Sequence, residues 1–265
     1  MAKISKISKL ESIPTDTSGS TRIEKELLKM KQLLAGKQKS MLKTVESAGF
    51  SCLMCGKCCE RAEDDNSVYL LPDEIEKIEA SGFLRENFIL PLLPDFYETE
   101  NETAIFKEST FIDMLHSLSE QTDEEGRIHT FGWMLQRNDD GSCIFLNSDS
   151  KKCMIYEARP ALCRTYPFFT DESGVLKCEC EGLGSIEKTE PILANELTKA
   201  LQERVLSDHT DYIQTSVAIK NIYDKFEFNN ETARIRFNEN LIKNIVSFVV
   251  YDSTGVYEVE FNIDQ

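Results

Sequence analysis

The 265-residue chain holds no apolar run approaching the roughly 18 residues that a bilayer span needs, which excludes a spanning helix. Its start, MAKISKISKLESIPTDTSGS, lacks the apolar centre of a secretory signal. Export is therefore not expected, and a cytoplasmic setting with reduced thiols is. Histidine is scarce. His116, His129 and His209 lie far apart and far from every cysteine, so each reads as an ordinary surface or core residue. Basic charge is short as well. A net charge of -16 argues against nucleic acid or an anionic membrane as partner of the main body. The deficit is uneven, because residues 1–45 carry +6 and the remainder -22. No internal period appears, which excludes a solenoid. No Gly-rich loop follows a candidate strand, so a cradle for a nucleoside cofactor is missing.

What is plentiful is cysteine, and in one place. All nine fall between residues 52 and 180. The stretch FSCLMCGKCCE carries Cys52, Cys55, Cys58 and Cys59. Cys143, Cys153 and Cys163 recur at ten-residue intervals in GSCIFLNSDSKKCMIYEARPALCRTYPF, and Cys178 and Cys180 follow in KCECEGLG. Cysteine used only as a small buried apolar residue would be spread along the chain. An odd total and an adjacent pair fit a disulfide framework poorly. In a reducing setting, clustered thiols point to metal.

Around this cluster the chain reads as α+β. Residues 1–20 are polar and read as a mobile tail. A helix is expected over 21–46, capped by Thr21-Arg-Ile-Glu24 and carrying a seam of Ile23, Leu27, Met30, Leu34 and Met41 that Lys37 interrupts. An irregular, metal-stapled cysteine domain is expected over 47–188, built from short helices and hairpins. Within it, Val68 to Leu71 read as a short strand, and Pro72 opens a helix ending near Gly82. LPLLPDFYETENET reads as loop. Trp133 to Gln136 and Cys143 to Leu146 read as a hairpin closed at NDDG, with Trp133 in the core. Over 189–265 we expect a helix from Asn195, with Leu197, Leu201, Val205, Tyr212 and Ile213 on one side. FEFNNETARIRF and IVSFVVYDSTGVYEVEFNI then read as two hairpins of a small antiparallel sheet.

The spacing of the thiols carries the chemistry. Cys52, Cys55 and Cys58 have the C-x-x-C-x-x-C arrangement of bacterial ferredoxins, in which a tight loop aims successive thiolates and backbone N–H groups at one cluster. Gly56 relaxes that loop. The pattern departs from ferredoxin at Cys59. In extended backbone Cys58 and Cys59 would point to opposite sides, serving two centres or leaving Cys59 beside the metal without ligating it. Zinc takes the same sulfurs, four to a closed site, and nine cysteines make two such sites with one over. Sulfur alone does not choose between zinc and iron–sulfur. Arg159 and Arg164 either serve turns and surface pairs or offset the charge of a thiolate centre and tune it through hydrogen bonds. Tyr166 is open to the same two readings.

Taken together, CLMCGKCC, DGSCIFL, CMIYEARPALCRTYPF and CECEGLG resemble the YkgJ-type cysteine-cluster family of CxxCxxCC zinc- or iron-chelating domains over roughly residues 50–186. Its motif falls on Cys52, Cys55, Cys58, Cys59, Cys143, Cys153, Cys163 and Cys180. Its RPxxCRxYP block falls on Arg159, Pro160, Arg164, Tyr166 and Pro167. The resemblance implies metal binding. One branch, the flagellin lysine methylases, sets an iron–sulfur cluster beside S-adenosylmethionine chemistry. Three functions stay open. The first is a carrier of one or two iron–sulfur clusters, 4Fe-4S first, in electron transfer or metallocentre maturation. The second is an interaction module on structural zinc, and the third a methylase-like enzyme. A protein partner is expected at the N-terminal helix or the C-terminal sheet.

Overall fold

A computed structural model of the chain describes residues 3–12, 17–60, 67–92, 121–171, 173–223 and 225–262, with the backbone alone for residues 3, 17–23 and 217–223. Its first half contains β1 (Lys3–Ser12), α1 (Thr17–Ser47), β2 (Tyr69–Leu70), α2 (Pro72–Ala80), β3 (Ile89–Pro91), β4 (Ile128–Phe131) and β5 (Trp133–Leu135). Then follow α3 (Ala161–Thr165), β6 (Phe168–Thr170), β7 (Val175–Lys177), α4 (Pro191–Tyr223), α5 (Glu231–Ile242), β8 (Ile245–Asp252) and β9 (Gly255–Asn262). The class is the expected α+β.

The chain forms two units, and neither is continuous in sequence. One comprises Met1–Thr15, Phe83–Gly141 and Gln214–Gln265; the other comprises Asp16–Gly82 and Ser142–Ile213. The sequence had pointed to a single cysteine domain over 47–188 between a helix and a C-terminal sheet. Instead the segment between the cysteine groups folds with the chain ends, while both long helices contribute to the cysteine unit.

The first unit is built on a sheet of order β1-β9-β8-β4. Its centre is the expected hairpin of β8 and β9, closed by Asp252, whose Oδ1 accepts from the Thr254 and Gly255 N–H groups at 2.7 and 3.0 Å. Lys3–Ser12 are no tail: they pair antiparallel with β9, from Lys3 opposite Asn262 to Ser12 opposite Gly255. On the other side β4 runs parallel to β8, with His129 opposite Val249. Trp133 is in the core as expected, its indole N–H donating to Asp252 Oδ2 at 2.8 Å. Its strand, however, pairs with Ile89–Pro91 and not with Cys143–Leu146. Most of LPLLPDFYETENET, and His116, lie outside the described residues.

The second hairpin expected here is a helix. Asn230 caps α5, its Oδ1 accepting from the Ala233 N–H at 2.8 Å. Ala233 and Phe237, four residues apart, then share the buried side, while Ile235 between them is half exposed. The run ARIRF alternates, but its burial follows the helical period.

In the cysteine unit, α1 begins at Thr17, four residues before the expected cap, and its C-terminal half is core. Met41, Val45 and Ala48 pack with Phe50, Phe168, Ala194, Leu197 and Leu201, and Cys180 and Leu183 border the cluster. The rings of Phe50 and Phe168 meet edge to face at 5.5 Å. Thr189 fastens the exit of α1: its hydroxyl donates to Val45 O at 2.7 Å and accepts from the Phe50 N–H at 2.8 Å. The cysteine loop therefore starts from a fixed point.

Candidate metal centre

All nine cysteines belong to the second unit, and none is in a disulfide. From Phe50 the chain runs beside the segment that carries Cys180, the Ser51 N–H donating to Gly182 O at 3.0 Å. Gly182 has no room for a side chain there: a Cβ would lie 2.4 Å from Ser51 O. Further on, Lys57 pairs with Glu181, holding the same two segments together. Gly56 turns the loop at φ +78°, and its α-carbon faces the turn before Cys153, where a Cβ would lie 2.7 Å from Lys151 O. One loop is thus held by two partners.

After Gly56 the backbone coils, the Cys59 and Glu60 N–H groups both donating to Gly56 O at 2.8 and 3.1 Å. Cys58 and Cys59 are therefore not in extended backbone and do not point to opposite sides; their sulfurs are 4.0 Å apart. Two thiolates on one tetrahedral zinc at 2.3 Å would stand about 3.8 Å apart. The Cys143 N–H donates to Cys59 O at 2.7 Å, so the distant cysteine group does meet the loop. Leu146 and Cys153 form a bridge across the next turn, and Glu60 pairs with Lys151 at 2.8 Å. Cys163 lies on α3, half-buried.

Mutual proximity shows in the acidities. The hydrogen bond from Cys59, helped by the charge of Arg159, lowers Cys58 to about 7, although burial opposes it. Hydrogen bonds to Cys143 and Cys58, with burial, push Cys59 far up. Burial, then the charges of Cys143, Cys58 and Cys153, raises Cys163 to about 12. Cys180 is raised by burial and by Cys55, Cys58 and Cys52. Thiols that repel one another's negative charge are what a cation would bring to rest. The donor set fits a thiophilic metal in kind. Among the described residues, no group of three or more His, Cys, Asp or Glu side chains is placed so that it could hold a metal ion.

The arginines differ. Arg159 donates from Nε to Tyr156 O at 3.0 Å, lies 3.7 Å over the Tyr156 ring, and its charge helps to lower Cys58 and opposes the net rise of Cys153 and Cys163. It holds a turn and faces the thiols at once. Arg164 is exposed in α3, and no hydrogen bond or ion pair among the described residues joins it to a cysteine. Tyr166 donates its hydroxyl to Glu179 O, between Cys178 and Cys180. Burial, then Cys178 and Cys180, raises its pKa. His129 lies in the other unit, and His209 is half-buried on α4.

Sequence reasoning missed Glu74. This buried carboxylate accepts from the Leu71 N–H through Oε2 at 3.0 Å and from the Ala161 N–H through Oε1 at 2.6 Å. It ties the start of α2 to the helix that bears Cys163. The one local signal was an acid in the third position of a helix opened by Pro72.

Comparison with known families agrees with this constellation. Residues 51–181 match the CxxCxxCC family model, described as "Putative zinc- or iron-chelating domain". Over this segment the chain is similar to that family, and metal binding is the property the family supports. No solved structure matches the chain. Among the described residues, no helix is long and apolar enough to cross a membrane.

Proposed function

We propose that the cysteine unit carries one or two thiolate-ligated centres of the iron–sulfur type, 4Fe-4S first, and passes electrons or a metallocentre to a protein partner. One observation carries this reading: nine cysteines from separate chain segments, none in a disulfide, belong to one unit that contains a loop of C-x-x-C-x-x-C spacing. Such clusters supply one-electron chemistry when bound, and the loop supplies the ligand spacing they use. Cys52, Cys55 and Cys58 are exposed, as are Leu53 and Met54 between them, which suits a centre that must be approached by another protein. The N-terminal part of α1 offers a further contact surface, since Leu28 and Leu33 are exposed there among Lys25, Lys29 and Lys31.

Zinc is the second reading, favoured by the 4.0 Å separation of the Cys58 and Cys59 sulfurs. Anaerobic purification separates the two. An iron–sulfur protein is brown, with broad visible absorption that bleaches on reduction and with acid-labile sulfide. A colourless protein holding stoichiometric zinc and no sulfide would overturn the iron–sulfur reading in favour of zinc.

A further inference from the structure

We propose that the outer face of α1 is a docking surface for an acidic protein, which sets carboxylates against Lys25, Lys29, Lys39 and Lys43 and an apolar side chain against the bare backbone of Gly36 between them. This rests on the reading that a protein partner meets this helix, and it names the chemistry of that partner.

The spacing builds the surface. Lys25, Lys29, Gln32, Gly36, Lys39 and Lys43 follow one another by four, three, four, three and four residues, so they line one face of α1 over about 27 Å. All six are exposed. Leu34, Met41 and Val45 on the opposite face are buried, and Gln202 Nε2 donates to Leu34 O at 2.9 Å, so the core side of the helix is already occupied. Exposed Leu28 and Leu33 flank the lysine line, one on either side.

Charge points this face outward. The lysines of β1 are met within the chain: Lys6 lies 4.0 Å from Glu260, and Lys9 lies over the Tyr257 ring. On α1, Lys29 pairs with Glu26 at 2.9 Å, whereas Lys25, Lys39 and Lys43 have no ion pair or hydrogen bond among the described residues. Positive charge left in a line on a chain of net charge -16 is complementary to an acidic surface.

Gly36 is an independent signal. Inside a helix glycine is disfavoured relative to alanine. A Cβ at Gly36 would meet nothing within 4 Å, and the backbone there is helical, so nothing among the described residues calls for glycine. Its bare backbone leaves a notch between the two lysine pairs, open to a close-packed side chain of the partner. A membrane fits this face less well, because the exposed leucines are split to either side of the lysines and the apolar side is buried. Nucleic acid also fits less well, since the line holds neither arginine nor an aromatic ring.

The test uses the full chain and a fluorescent synthetic peptide of glutamates with a central leucine pair, read by anisotropy. An all-glutamate peptide of equal charge, heparin and phosphatidylserine vesicles are the comparisons. The leucine peptide should bind more tightly than all three, and added salt should weaken it. Changing Lys25→Gln, Lys29→Gln, Lys39→Gln and Lys43→Gln together should weaken it about tenfold or more. Gly36→Ala and Gly36→Gln should both raise the urea midpoint, yet Gly36→Gln should weaken binding while Gly36→Ala retains most of it. A stabilising substitution that costs binding is not what a merely structural glycine would give. No saturable binding of the leucine peptide, equal binding by Gly36→Gln and the parent chain, or tighter binding of heparin or vesicles through the same lysines would each overturn the proposal. Metal content and visible absorption of the same samples, unchanged, would then leave the iron–sulfur reading standing.

Discussion

Glu74 and Ala161 stand 87 positions apart in sequence and are joined by a 2.6 Å hydrogen bond from the Ala161 N–H to the buried carboxylate. Burial pushes the Glu74 carboxyl up, against the pull of the two N–H groups that it accepts from. Glu74→Ala leaves both donors without this partner and should cost about 1–3 kcal/mol. Glu74→Gln retains an acceptor and should cost less. Urea denaturation checks the order, and faster maleimide labelling of Cys163 in Glu74→Ala would show that the cysteine helix has been released. Equal stability of both variants and the parent chain would refute the role.

Two glycines should prove as necessary as the cysteines they serve. Gly56→Ala combines a left-handed backbone at φ +78° with a collision against Lys151 O, and Gly182→Ala collides with Ser51 O. Each variant should fold with the helical core intact but bind less metal, as measured by circular dichroism and metal analysis together. Full metal content in both would mean that the loop is not held as described.

The first unit should weaken in acid. Burial raises the Asp123 carboxyl, but the hydrogen bonds from His129 and Arg127 outweigh it and hold the group down at about 2. Its contribution, about 2 kcal/mol, is present above the unfolded value near 4 and is lost as pH falls toward 2. His129 is lowered by burial, partly offset by Asp123, and lies between Asp123 Oδ2 at 2.9 Å and the Tyr251 hydroxyl at 2.7 Å. The fold favours its neutral form, so stability should begin to fall once pH drops below about 6.5. Trp133 fluorescence during urea denaturation reports this unit. A flat profile from pH 7 to pH 3 would contradict the assignment.

Asn230→Ala removes the cap of α5 and should lower the stability of the same unit by about 1 kcal/mol. Asn230→Asp should be nearly neutral, because either side chain accepts from the Ala233 N–H. A loss as large in the aspartate variant would indicate that the amide is needed for something other than the cap.

Local patterns carried several elements. Pro72 opened its helix, DSTG closed the last hairpin, and the thiol spacing marked the loop that the family comparison supports. Local patterns also misled. ARIRF alternates as a strand would, yet the Asn230 cap and the burial of Ala233 with Phe237 make it a helix. Lys3–Ser12 looked too polar to order, but an edge strand needs only a partner with free N–H and C=O groups, and β9 provides it.

The sequence by itself determined the kinds of donor present, their concentration in one region and the turn at Gly56, because ligand chemistry and short-range backbone geometry are properties of a few neighbouring residues. Only the tertiary structure decided that Cys143 meets Cys59, that Cys58 and Cys59 coil together, and that Glu74 holds the helix of Cys163. It also decided that residues between the cysteine groups leave for another unit. Those outcomes depend on pairings between segments tens of residues apart. Such pairings are selected by burial and hydrogen-bond satisfaction across the whole fold, and no local window of sequence contains them.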